Sequence, residues 1–222
     1  MSAPHSPAEL QSMYQKRFAG KHEYRNSIWR VLVDNYFSQW IPDGAVVLDL
    51  GCGHCEFINN VRSETRLGMD LNPDSVQQAA PGVRILAQSC SETWALADNS
   101  LDVVFTSNFF EHLYTKNDLR DTLLQARRCL RPGGRIIALG PNIRYLPGEY
   151  WDFYDHYLAL TELSLGEVMT ETGFTLEERI PRFLPYTMSR GRERPLWMLR
   201  LYLKLEFAWP LLGKQFLVVA RK

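Results

Sequence analysis

Apolar residues gather in short runs separated by segments of a different period. The runs are Val46-Val47-Leu48-Asp49-Leu50, Thr65 to Met69, Val83 to Ala87, Val103 to Ser107, Arg135 to Leu139, Phe174 to Ile180 and Gln215 to Ala220. Runs with so few polar interruptions suit strands covered on both faces. Between several of them apolar residues recur three and four apart. Leu119, Leu123, Leu124, Ala126 and Leu130 predict a helix that stops at Arg131-Pro132-Gly133-Gly134, Glu56 to Arg62 predicts another, and Leu163 to Thr172 a third, closed by Gly173. Ahead of the first strand, Ala8 to Ala19 and Tyr24 to Trp40 read as two helices joined by the polar and aromatic stretch Phe18 to Arg25. In the second, Ile28, Leu32 and Tyr36, with Trp29, Val33, Phe37 and Trp40, make a broad apolar stripe that packs on the sheet. Leu199 to Phe207, rich in leucine and free of β-branched residues, reads as helical. Strands alternating with helices predict one α/β domain.

The chemistry centres on Asp49-Leu50-Gly51-Cys52-Gly53-His54-Cys55-Glu56, a strand, a tight turn and the start of a helix. Two glycines let the backbone take positive φ and let a ligand approach closely, beside the free N–H groups that open a helix. Dinucleotide binding calls for a third small residue where Glu56 stands, which argues against a pyrophosphate turn. Cys52-Gly53-His54-Cys55 has the C-x-x-C spacing of a dithiol oxidoreductase, and with Cys90 those side chains offer zinc ligands, although no second C-x-x-C or H-x-H pair completes a tetrahedral site.

The stretch Asp49 to Gly53 resembles the first motif of the class I S-adenosylmethionine (SAM)-dependent methyltransferases, with Cys55 where a third glycine is usual. An acid at a strand's end, Asp70, follows Asp49 by 21 residues, and Asn108-Phe109-Phe110-Glu111-His112-Leu113 and Leu130-Arg131-Pro132-Gly133-Gly134 resemble two later motifs in the same order. The resemblance covers residues 46–222. It implies a Rossmann-like, seven-stranded, mostly parallel sheet with helices on both faces and an antiparallel last strand. It also implies SAM as cofactor, bound by Asp49, Gly51, Cys52, Gly53, Asp70, Leu71, Ser89, Cys90, Ser91, Asn108 and Phe109. Asp49 would orient the methionine part and Asp70 accept the ribose hydroxyls. Residues 1–44 are expected to form a helical cap and 45–222 the methyltransferase domain, with an insertion over 182–214 between the last two strands, a place where such relatives carry a short turn.

The aromatic and acidic stretch Pro141 to His156 follows the fifth strand, where an acceptor would meet a methyl donor. Asn142, Arg144, Tyr145, Trp151 and Tyr186, with Tyr14, Arg17 and Arg25 from the N-terminal helices, are the candidate substrate contacts. His112 and His156 are candidate bases, with Glu111 or Asp155 as orienting partners. Asp152, Asp155 and His156 also suit a divalent cation, but an aspartate beside a histidine is more often a structural pair, and no metal is assigned. The expected activity is methyl transfer to a small hydroxyl-bearing acceptor such as a saccharide. N-methylation, cofactor binding without catalysis, and dithiol redox chemistry are the alternatives. The combination N-x-R-Y, W-D-F-x-D-H and R-F-L-P-Y resembles a bacterial subgroup found beside sugar-transfer enzymes of surface polysaccharide assembly, an association by analogy.

Composition narrows partners rather than chemistry. Lysine plus arginine balance aspartate plus glutamate at 25 each, so no global field recruits nucleic acid. No apolar run approaches the ~18 residues of a membrane-spanning helix. Trp197, Leu201, Leu205 and Trp209 offer a face for peripheral membrane contact or a glycolipid, against the plainer role of packing on the sheet edge. A polar N-terminus and four cysteines without a disulfide spacing point to a reducing cytoplasm.

Overall fold

A computed structural model describes residues 6–18, 20, 22–186 and 193–222. A seven-stranded sheet runs through it, built from β1 (Val46–Leu50), β2 (Thr65–Met69), β3 (Val83–Leu86), β4 (Leu101–Ser107), β5 (Leu130–Pro141), β6 (Thr175–Ile180) and β7 (Gln215–Arg221). The order is β3-β2-β1-β4-β5-β7-β6. Pairs from β3 to β5 are parallel, while β7 runs antiparallel to both β5 and β6. The helices are α1 (Pro7–Phe18), α2 (His22–Asn35), α3 (Glu56–Asn60), α4 (Asp74–Gln78), α5 (Lys116–Cys129), α6 (Glu162–Glu171), α7 (Leu196–Lys204) and α8 (Trp209–Leu212).

Side chains alternate across each strand, and both faces are buried. Leu48, Leu50, Val104, Ile136 and Val218 face one core with Leu119 and Leu123 of α5 and Leu165 and Met169 of α6. Val47, Val103, Phe105, Ile137 and Val219 face the other with Trp29 and Leu32 of α2, Phe57 and Ile58 of α3, and Leu203 of α7. Helices on both faces of a mostly parallel sheet match the expectation. The apolar stripe of α2 packs on the sheet as expected, with Trp29 set edge-on to Phe57 and Phe105 at 5.9 and 5.7 Å.

Among the boundaries that differ from the sequence reading, three have a visible cause or consequence. The second helix ends at Asn35, and Phe37–Trp40 forms a separate 3-10 turn. There the Asn35 side chain folds back onto the Val31 carbonyl (2.8 Å), an internal competitor for helical hydrogen bonds. The Arg131–Gly134 turn is not a gap between helix and strand but an irregularity within β5, where the pairing with β4 slips between Leu101 and Val103. Arg131 clamps Asp102 of β4 with both contacts at 2.7 Å. The helix read over Leu199 to Phe207 runs instead from Leu196 to Lys204.

The insertion between β6 and β7 folds back over α2. Its buried Trp209 lies edge-on to Tyr36 at 5.7 Å and to Phe183 at 5.0 Å, and the Tyr24 hydroxyl meets the Arg194 backbone. Trp197, Met198, Leu201, Phe207, Leu211 and Leu212 stay exposed on its outer side. Among the described residues no helix is long and apolar enough to cross a membrane.

Phe105 concentrates this packing. It is fully buried, stacks on Phe57 at 3.6 Å between ring centroids and meets Phe37 edge-on. Phe105→Ala should cost about 3–5 kcal/mol and lower the thermal midpoint by roughly 10 °C; a loss under about 1 kcal/mol in denaturant titration would mean that these rings are not the main support of that face.

Candidate functional site

The carboxyl ends of β1, β2 and β4 converge where the strand order reverses, the place at which open α/β sheets bind ligands. After β1 the chain turns sharply. Gly51 and Gly53 both have positive φ, and a β-carbon on Gly51 would overlap the Phe109 ring, so only glycine lets the turn and the segment after β4 meet. The Gly51 and Cys52 amides donate to the Met69 carbonyl at 2.8 and 3.2 Å, fastening the turn to β2. Cys55, at the position usual for a third glycine, also adopts the left-handed conformation, with φ 61°, and is completely buried.

Two carboxylates flank this turn. Asp49 is buried and accepts the Ile58 amide of α3; burial first, then the nearby Asp70 and Glu56 charges, push its pKa well above the carboxylate range. Asp70 accepts the Gly53 and Asn72 amides at 2.7 and 2.8 Å, bonds that fix its orientation and partly offset the upward push of burial. The helix-start role falls to Asn72, whose side chain accepts the Asp74 amide at 3.0 Å. Leu71 is exposed beside Asp70. In the next loop the Ser89 and Ser91 hydroxyls lie 3.1 Å apart. The buried Cys90 offers its carbonyl to the Trp94 indole at 2.7 Å, and burial pushes its thiol up to about 11. Trp94 itself, buried beneath that loop, escaped the sequence reading because nothing in a lone tryptophan marks its partner. Asn108, with φ 49°, closes the crevice from β4.

The C-x-x-C pair does not have redox character. Its sulfurs lie 3.9 Å apart in a buried setting, and the hydrogen bond to Cys55 together with burial raises the Cys52 thiol well above its ordinary pKa. Reactive dithiols need the opposite, a thiol pushed down. Groups of metal-ligating side chains among the described residues contain no cysteine.

The candidate acid–base residues gather in one place. The Glu111 carbonyl accepts the Tyr157 and Leu158 amides at 2.8 and 3.1 Å, which draws residues 155–158 onto the end of β4. His112 Nδ1 then meets the Asp155 carbonyl at 2.8 Å and its carboxylate at 3.2 Å. His156 packs edge-on to His112 at 5.0 Å and to Tyr150 at 4.8 Å, and stacks on Phe153 at 5.0 Å. Burial alone would lower the His112 pKa, but the bond to Asp155 and the charges of Glu111 and Asp155 carry it above the ordinary imidazole value. His112 also lowers Asp70, so this group and the glycine turn share one electrostatic field.

The substrate candidates divide. Trp151 is exposed, and Tyr186 sets its ring edge-on to Phe153 at 6.2 Å. Arg144 lies 3.8 Å from Glu162, and the Arg182 guanidinium covers the Tyr145 ring. Asn142 is fully buried and donates to Glu162 at 2.6 Å and to the Pro181 carbonyl at 2.9 Å. Arg25 is buried with its guanidinium 2.8 Å from Glu56. The side chains of Tyr14 and Arg17 lie outside the described residues.

Residues 48–138 match the family described as a methyltransferase domain. A 37.1 kDa protein in transposon TN4556 of Streptomyces fradiae is 30% identical over 120 residues, 49% of this chain and 34% of that protein, so the match spans about a third of the relative's length. A SAM-dependent methyltransferase from Archaeoglobus fulgidus superposes with a TM-score of 0.65 at 18% identity over 92% of this chain and 99% of the other. The [4+2]-cyclase SpnF superposes with a TM-score of 0.65 at 15% identity over 100% and 97%. At these identities the likeness is one of fold.

Asp49 has a measurable cost. Its pKa is raised in the folded state, so the native protein holds that proton more tightly than the unfolded chain does. Stability therefore falls as pH rises from about 4, the unfolded value, through the folded one. Asp49→Asn keeps an acceptor for the Ile58 amide and removes the charge. Without ligand it should melt above wild type at pH 7, the gap closing toward about pH 4; scanning fluorimetry across that range checks this, and a lower midpoint at pH 7 would rule out charge burial as the governing effect.

Proposed function

We propose that this chain, whose residues 48–138 match a methyltransferase domain, is a class I SAM-dependent methyltransferase that transfers a methyl group to a hydroxyl of a small acceptor, a saccharide or similar metabolite. One observation carries the reading. The buried Asp49 and the half-buried Asp70 flank the glycine turn, close enough for Asp70 to raise Asp49, and a cationic ligand relieves such crowding of negative charge. SAM carries an ammonium and a sulfonium, so its chemistry fits this donor set. The glycine turn fits as well, since Gly51 and Gly53 take positive φ and leave bare backbone that a ligand can approach closely.

When bound, SAM supplies an electrophilic methyl group. The chain's own residues do the rest. Asp49 meets the amino acid end, Asp70 accepts from the ribose hydroxyls, and the backbone of Gly51, Cys52 and Gly53 with Leu71, Asn108, Phe109 and the Ser89-Cys90-Ser91 loop encloses the remainder. Glu111, His112, Asp155 and His156 face the acceptor, where an imidazole accepts its hydroxyl proton as the oxygen keeps the electron pair and attacks the methyl group, with Asp155 holding the His112 ring in position. Trp151 and Tyr186 offer flat apolar faces of the kind that sugar rings pack on. Positioning of the acceptor supplies much of the acceleration. Four free cysteines, all buried, are consistent with a cytoplasmic setting.

Calorimetry with SAM and with its demethylated product tests the cofactor half. Wild type should bind both, and Asp70→Ala should bind about 10–100-fold more weakly, the effect of removing a charged acceptor; equal affinity would withdraw the role given to Asp70. The acceptor half is tested by a saccharide screen with His112→Gln and His156→Gln, each expected to lower turnover at least about 100-fold with SAM affinity kept. Since a cyclase shares the fold, cofactor binding with no transfer to any acceptor would overturn the transferase reading.

A further inference from the structure

One ligand atom from each of Glu111, His112 and His156 lies within 4.8 Å of the other two, at the acceptor end of the crevice, with Glu111 and His156 buried. We propose that these three side chains bind a divalent transition-metal ion, and that its open positions take two neighbouring oxygens of the acceptor, a vicinal diol or hydroxy-ketone. The acceptor half of this inference rests on the methyltransferase reading; the metal half does not.

Three features of the geometry support it. The first is second-sphere orientation. A metal-bound histidine characteristically gives its other ring nitrogen to a carboxylate or backbone carbonyl, and His112 Nδ1 meets both on Asp155, at 3.2 and 2.8 Å. Donation there fixes the tautomer and leaves the lone pair on Nε2. Next is rigidity. His156 is held between Tyr150 and Phe153, while the Glu111 backbone is tied to residues 157 and 158, so the ligands start close to their bound places. Neighbouring ligands of an ion with ~2.1 Å bonds stand about 3.4 Å apart, and closing the group takes roughly an ångström of side-chain movement. Last comes the ligand set itself. Two imidazoles and one carboxylate suit zinc, cobalt, manganese or iron(II) rather than magnesium or calcium, which want oxygen throughout.

The other such group among the described residues is His22, His54 and Glu56. Arg25 already places a guanidinium 2.8 Å from Glu56, and a second cation there would be repelled. Three protein ligands at the acceptor end leave positions open, as catalytic sites require. An acceptor hydroxyl bound to the ion loses its proton to water more readily, the electron pair of the O–H bond staying on the oxygen. This chemistry replaces a free imidazole base.

The test uses the full chain, stripped with chelator and titrated with Co2+ while the visible d–d absorption is followed. Wild type should bind one equivalent with a band in that region. Glu111→Gln and His156→Gln should each weaken binding at least about tenfold, while His22→Gln should not. Thermal midpoints with and without Co2+ guard against misfolded variants, since a folded variant that gains no stabilisation supports the site. Absence of a band in wild type, or equal affinity in the Glu111 and His156 variants, overturns the proposal. SAM calorimetry on the same samples separates the two readings: SAM binding without cobalt binding sinks the metal alone, and cobalt binding without SAM binding sinks the methyltransferase reading alone. Acceptors with and without adjacent oxygens, compared at saturating metal, should differ at least about tenfold in turnover; equal turnover overturns the chelation.

Discussion

A carboxylate buried beside two other acids is the constraint on which the rest of the architecture turns. Asp49 sits at the carboxyl end of β1, between β2 and β4, under the first turn of α3. In a parallel sheet covered on both faces, a charge at that point is expensive, and the backbone answers with what it has, one amide from Ile58. Neighbouring Asp70 and Glu56 deepen the cost. A fold selected for stability alone would not place three acids there. Cys55, in a left-handed conformation that suits glycine better, adds backbone strain at the same turn.

Sheet topology decides where that tension is placed. Because β1 is flanked by β2 on one side and β4 on the other, the loops after these strands part and leave a crevice at their ends. Loop chemistry then divides the crevice. Its β2 side carries Asp70, anchored by amides; its β4 side carries Asn108, Phe109 and the Glu111-His112 pair. Phe109 against Gly51 locks the halves together, and the field of His112 reaches Asp70 across them. The two sides of the crevice therefore share one electrostatic surrounding.

The insertion shows how a fold absorbs additional chain. Between β6 and β7 a short turn would suffice for an antiparallel pair. Here the excursion lays Phe183, Leu203 and Trp209 over α2 and returns. Its inner face completes the core that Trp29 and Phe105 begin, so it is part of the domain's cover, while its outer face leaves Trp197 and Phe207 in solvent.

Local sequence determined a great deal. Apolar runs and their spacing specified the strands and most helices, since burial on two faces permits few polar residues. The glycine turn and the acids at 49 and 70 were legible because their chemistry depends on neighbours in the chain. Tertiary structure decided the rest. Asp155 reaching His112, Glu111 and His156 converging, Arg25 committed to Glu56, and Asn142 turned inward onto Glu162 are pairings between segments tens of residues apart. Periodicity carries the direction of a side chain relative to its own element, but not the partner that element will be packed against, and every one of those assignments rests on the partner.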